Sequence, residues 1–217
     1  MKWITAVILA IGLAGCRREM NFADAVLLLE RSESDFIDAI PRLRRINGTS
    51  EEGLTLLHMS LDKPSVMRSL LEHGANPEVR DKAGWTPLHL ACSMGRSSAA
   101  EALLSFGADA HDPSPEEGWY PIHAAAHAGS KDCIQLLYRY GAEIEAKTRM
   151  GLTPLHVAVR ELKPEAVEDL LHLGANRRAK DVHGHTVYDS LREVSIGAGP
   201  SERARAELIA KLLQESQ

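Results

Sequence analysis

Ten histidines, three cysteines and several paired carboxylates are the residues of this 217-residue sequence whose types allow catalysis or metal binding. His123 and His127 stand at i and i+4, a spacing that on one helix presents two imidazoles to a single zinc ion. No Glu or Cys is placed nearby to complete such a site, so no metal is expected. His58, His89, His123 and His156 recur at one slot of a repeated hexapeptide, which marks them as structural. His183 and His185 fall on a predicted turn and read as solvated or partner-contacting. Cys92 and Cys133 occupy apolar helical slots, so buried free thiols are expected; a mutual disulfide is the alternative in an oxidising compartment. The carboxylate pairs Glu51-Glu52 and Glu116-Glu117 sit in turn segments that face water. No Ser, Cys or Asp lies at a strained turn with a partner base, and no glycine-rich phosphate loop exists. The sequence therefore predicts no catalytic residues, no cofactor and no enzyme.

Composition narrows the classes further. Apolar residues make up 44%, charged residues 25% and aromatics only 5%, which describes a globular chain whose core is built from Ala, Leu, Ile and Val. The net charge is -5, without a basic run, so nucleic-acid binding is not expected. Three cysteines are too few for a disulfide scaffold.

The elements that position these residues follow from self-alignment. Gly84-Trp85-Thr86-Pro87-Leu88-His89 recurs as Gly151-Leu152-Thr153-Pro154-Leu155-His156, with weaker copies from Gly53 and Gly118 and an echo from Gly184. The leading glycines are 31, 34, 33 and 33 residues apart. A second marker, Gly-Ala at 74, 107, 141 and 174, keeps the same beat. Thr-Pro opens a helix, with Thr capping free N–H groups and Pro at the first helical position, where no hydrogen bond is lost. Gly-Ala ends a second helix, because Gly accepts left-handed dihedrals.

The pattern over roughly residues 50 to 190 resembles the ankyrin repeat. The resemblance implies an all-α solenoid of stacked helix-turn-helix units with short β-hairpin fingers. Its units are a helical cap or degenerate repeat over 22–48, repeats over 49–80, 81–113, 114–147 and 148–180, and a capping repeat over 181–217. Three departures are evident. The first full repeat is two residues short and carries Lys63-Pro64 at its inter-helix turn. The third finger has one extra residue with Pro113 and Pro115, which predicts distortion. The fourth repeat has Leu162-Lys163-Pro164 where a glycine turn is expected.

Ahead of the repeats, Lys2 precedes an apolar stretch from Trp3 to Ala14, shorter than the roughly 20 residues a membrane-spanning helix needs. It ends in Leu13-Ala14-Gly15-Cys16, which resembles the lipobox of bacterial lipoproteins. That resemblance implies cleavage after residue 15, acylation of Cys16 and a tether over 16–21. Arg17, where enteric inner-membrane lipoproteins carry Asp, leans toward the periplasmic side of the outer membrane.

The ankyrin resemblance also implies a protein-binding concave face made by finger tips and first helices. Carried over slot by slot, that face comprises Lys82, Trp85, Ser93 and Met94, then Glu116, Glu117, Trp119 and His127, then Arg149, Met150, Leu152, Arg160 and Glu161, and finally His183 and His185. Glu51, Glu52, Leu54, Asp62, Lys63, Arg80, Lys147 and Lys180 extend it. Trp85 and Trp119 share one finger slot, and Trp with Arg and Met is interface hot-spot composition. The alternative is that each Trp lies back on its own helix as packing. The expected function is non-catalytic protein binding by a monomer at the bacterial envelope, neutralising a periplasm-acting toxin or lipase effector. Support of a resident periplasmic enzyme, such as an antioxidant enzyme, is the alternative; a role through histidine-bound metal is a third, of another class.

Overall fold

The Thr-Pro-Leu-His segments start helices where the sequence places them. Thr55, Thr86, Thr153 and Thr186 are extended N-cap residues, and Pro87, Pro121 and Pro154 occupy the first helical positions. The computed structural model describes residues 20–196 and 198–215, and in them twelve α-helices. The first helix pair is α1 (Phe22–Arg31) and α2 (Glu33–Ala39), followed by a 3-10 turn, Ile40–Arg42. Four helix pairs follow. They are α3 (Leu56–Met59) with α4 (Pro64–Glu72), α5 (Pro87–Ser93) with α6 (Ser97–Ser105), α7 (Pro121–Ala128) with α8 (Lys131–Arg139), and α9 (Pro154–Arg160) with α10 (Pro164–His172). The chain closes with α11 (Val187–Ser195) and α12 (Pro200–Glu215).

Two layers result. First helices pack on first helices from α3 to α11, and second helices pack on second helices from α2 to α12. One continuous core runs between the layers, from Ala25 and Phe36 at one end to Ile209 and Leu213 at the other. No unit buries its apolar face alone, which is the logic of a solenoid. The deletion in the first full repeat shortens α3 to four residues, against seven or more in the other first helices.

The fingers are turns rather than strands. Each is closed by two backbone bonds: Ser50 N–H to Leu54 O, Asp81 to Trp85, Thr148 to Leu152 and Asp181 to His185, each with a return bond to the first residue from the N–H of Gly53, Gly84, Gly151 or Gly184. The third finger spans one residue more, Ser114 to Trp119, as its extra residue requires. Successive fingers are stitched by Lys82 N–H to Glu52 O, Arg149 N–H to Glu117 O and Val182 N–H to Met150 O. The matching stitch between the second and third fingers is missing because its donor position holds Pro115, which has no N–H. Pro115 packs over the finger instead: a Cβ on Gly84 (φ 78°) would fall 2.4 Å from its Cγ. Bonds confined to the base of so short a turn do not build a ladder, and the described residues hold only the isolated bridges Met20 to Leu43 and Lys180 to Thr186.

Leu162 takes the left-handed role of the missing glycine, with φ 51°, alone among described non-glycine residues. That conformation costs about 1–2 kcal/mol. The side chain is buried, and burial returns about 1.5–3 kcal/mol. Burial wins, so Leu162→Gly is expected to destabilise the chain by about 1 kcal/mol in urea unfolding, although it removes the strain.

Candidate functional site

The four repeated histidines wire neighbouring repeats together. Their Nδ1 atoms lie 2.8–2.9 Å from the hydroxyls of Thr55, Thr86 and Thr153, and in the third repeat Nδ1 of His123 accepts the Tyr120 N–H at 3.2 Å. Each Nε2–H donates to the next finger: His58 to Trp85 O (3.2 Å), His89 to Trp119 O (2.9 Å), His123 to Leu152 O (3.0 Å) and His156 to His185 O (3.4 Å). A ring facing a carbonyl on one side and a hydroxyl or amide donor on the other is a neutral Nε2–H tautomer. Burial lowers the pKa of all four, that of His123 to about 4. Each wire fixes the carbonyl of the finger residue at the Trp slot, so the core imidazoles position the finger face. Asp189 replaces His in the last slot, its Oδ2 accepting from Thr186 N–H (2.8 Å) and Oγ1–H (2.7 Å).

On that scaffold the finger face carries a row of rings. Trp85 and Trp119 stack with centroids 6.4 Å apart at 28°, and Trp119 meets His127 edge-on at 5.7 Å. His127 continues the row to Glu161, with Nε2 3.7 Å from Oε2. Both tryptophans are half-buried: each leans on its own repeat histidine, at 5.9 Å and 6.2 Å, and leaves part of its ring to solvent. Packing and presentation are thus two sides of the same residue. Met94 and Met150 are about half exposed, and Leu152 and Leu54 are half-buried.

These repeats match a known family. The model of ankyrin repeats (three copies) aligns with residues 22–114 and 103–181, most of the chain. The chain is an ankyrin-repeat protein. Among curated relatives of this ankyrin-repeat protein, human protein phosphatase 1 regulatory subunit 27 is 34% identical over 99 residues, 42% of this chain and 64% of that one. Mouse RelA-associated inhibitor is 30% identical over 109 residues, 48% of this chain and 13% of its own length. The putative ankyrin repeat protein YahD of Escherichia coli (strain K12) is 39% identical over 57 residues, 26% of this chain and 28% of that one. The chain spans less than two thirds of the length of each. Ankyrin repeats mediate protein–protein contacts.

The structure brings Trp85, Trp119, His127 and Glu161 together. Lys82, Glu116, Glu117, Arg149, Met150, His183 and His185 are exposed on the fingers, while Arg160 is exposed and Ser93 half-buried on first helices. Several residues carried onto the face are occupied internally. Lys63 Nζ donates to Leu29 O (2.6 Å), Arg80 binds Gly84 O (2.7 Å) and Asp112, and Lys147 reaches Lys180 O (3.4 Å). Asp62 pairs with Arg96. Cys16 lies outside the described residues.

Phe106, Tyr138 and Tyr140, outside the face expected from the repeat pattern, are exposed aromatics at the C-terminal ends of second helices. Their signal was available, since Phe106 and Tyr140 each directly precede a Gly-Ala marker. Cys92 and Cys133 are buried free thiols on α5 and α8. Their mutual hydrogen bond, with burial adding to it, raises the Cys92 thiol, and the same bond lowers Cys133. Among the described residues no group of three His, Cys, Asp or Glu is arranged to hold a metal.

Proposed function

We propose that this ankyrin-repeat protein is a lipid-anchored inhibitor of the bacterial envelope. In this reading Cys16 holds it on the periplasmic side of the outer membrane. Its finger face captures a periplasm-acting enzyme, a delivered toxin or lipase, and blocks it by occupation. The observation that carries the reading is the stacked Trp85–Trp119 pair, half-buried and fixed from below by the histidine wires. Large rigid aromatics held in place bind at low entropic cost. Two relatives bear names, regulatory subunit and associated inhibitor, that describe action on another protein, and inhibition by binding fits that pattern.

Capture from the envelope of native cells, followed by assay of the captured enzyme, tests the function. Its activity is expected to fall as the ankyrin chain is added to equimolar amounts. An enzyme that gains activity on binding would overturn inhibition in favour of enzyme support. For the anchor, Cys16→Ser is expected to abolish the acyl mass and release the chain from the outer-membrane fraction; an unchanged distribution would refute it.

A further inference from the structure

The end of the domain nearest Cys16 is chemically unlike the rest. In a chain of net charge -5, the stretch between Asp38 and Glu51 contains Arg42, Arg44 and Arg45 and no acidic residue. All three arginines are exposed. The chain leading from Cys16 is pinned beside them: Met20 N–H donates to Arg42 O (2.8 Å), and Arg44 N–H donates to Met20 O (3.1 Å). Only three residues separate Met20 from Cys16, and the four chain steps between them span at most about 14 Å when fully extended. That stretch of sequence is Arg17, Arg18 and Glu19, with a net charge of +1. Next to the pinned segment opens a pocket of about 560 Å³ lined by Asn21, Phe22, Arg44, Arg45, Asn47 and Thr49. Asn47 Oδ1 is already taken by the Asn76 N–H (2.7 Å), which leaves its amide as a donor. The lining thus holds the exposed Arg45 guanidinium and the Asn47 amide and no carboxylate, the chemistry that receives a phosphate oxygen.

We propose that this arginine surface docks on anionic phospholipid headgroups of the leaflet that holds the Cys16 acyl chains. The inference rests on the lipid-anchor reading above. A tether of at most about 14 Å keeps the surface within reach of a headgroup layer roughly 5–8 Å thick. Each arginine near an anionic surface strengthens attachment about fivefold. Acyl chains then supply the anchor, and the arginines set how the solenoid stands on the membrane, with its last repeat furthest away.

The acylated full-length chain is reconstituted in vesicles of phosphatidylcholine alone or mixed with phosphatidylglycerol, and trypsin cleavage is followed by mass spectrometry. Cleavage after Arg42, Arg44 and Arg45 is expected to slow roughly tenfold on the anionic vesicles and to recover at high salt. Cleavage after Lys180, in the last finger, is expected to be the same on both. In Arg42→Gln/Arg45→Gln the protection at Arg44 is expected to disappear. Equal cleavage on both vesicles overturns the surface, as does equal protection on phosphatidylcholine by inorganic phosphate, which would make it a site for a soluble anion. Intact mass reports the anchor separately. If Cys16 carries no acyl chain, flotation with phosphatidylglycerol vesicles that is lost in the double variant still supports the surface, and flotation unaffected by the variant overturns it.

Discussion

Acidification from pH 7 to pH 4 is expected to strip several kcal/mol from the stability of this ankyrin-repeat protein, most of it above pH 5, where ordinary carboxylates are still ionised. The cause is the set of histidine wires. In the unfolded chain each imidazole takes a proton near pH 6.5; in the fold burial lowers that pKa, to about 4 for His123. Below pH 6.5 the unfolded state therefore binds more protons than the native one, and stability falls with pH. The contribution is complete above pH 6.5 and is lost progressively down to the folded pKa. For His123 alone the loss is about 2 kcal/mol at pH 5 and about 3 kcal/mol at pH 4. His58, His89 and His156 add to it in the same direction. Glu78, raised by burial, works the opposite way and offsets part of the loss at the acid end. Asp189, lowered by the Thr186 N–H and hydroxyl, loses its contribution only as the pH falls through 3.8, from the acid edge of this window downward.

Urea midpoints measured at pH 7.5, 5.5 and 4.5 check this, with His123→Gln as the control. Gln retains an N–H donor for Leu152 O but has no proton to take up, so its midpoint is expected to be lower at pH 7.5 and flatter with pH. A wild-type midpoint that does not move between pH 7.5 and 4.5 would remove the histidines from the stability of the stack. The consequence for function is direct, because the same bonds hold the Trp85 and Trp119 carbonyls.

Local chemistry made most of the fold legible. Thr-Pro starts and Gly-Ala stops are short-range devices, so helix positions follow from them without tertiary knowledge. The single extra residue before Trp119 was visible as a spacing of 34 and emerges as a wider closing bond in that finger. Side-chain destinations were less legible. Arg80 and Lys63 sit in face-like slots, yet each turns onto a group that the linear order does not place near it, Arg80 onto the Asp112 carboxylate 32 residues on and Lys63 onto Leu29 O across 34 residues. The tryptophans were ambiguous for a related reason. Whether a ring packs or is presented depends on the ring in the next repeat, and the pair of partners is fixed only when the fingers are stacked.

That stacking sets the size of the largest expected binding effect. Trp119→Ala is expected to weaken the partner by about 2–3 kcal/mol, roughly 30- to 150-fold, and Trp85→Ala by about 2 kcal/mol. The difference follows from position: Trp119 touches the rings of Trp85, His123 and His127, whereas Trp85 touches only those of Trp119 and His89. A stacked pair holds about 0.5–1.5 kcal/mol in common, so the double variant should cost less than the sum of the single ones by about that amount. Helical circular dichroism should survive, since the fully buried side chains Leu88, Leu103 and Ile122 are untouched. Calorimetry on the captured partner reads all four corners of the cycle. Phe106→Ala and Tyr140→Ala, exposed at the ends of second helices, serve as the contrast and are expected to change affinity less than about twofold. If these cost more than the tryptophan pair, the partner sits on the second-helix ends and the finger face is only a packed surface. If the cycle is strictly additive, the two rings bind as separate anchors, and their stacking pre-organises nothing.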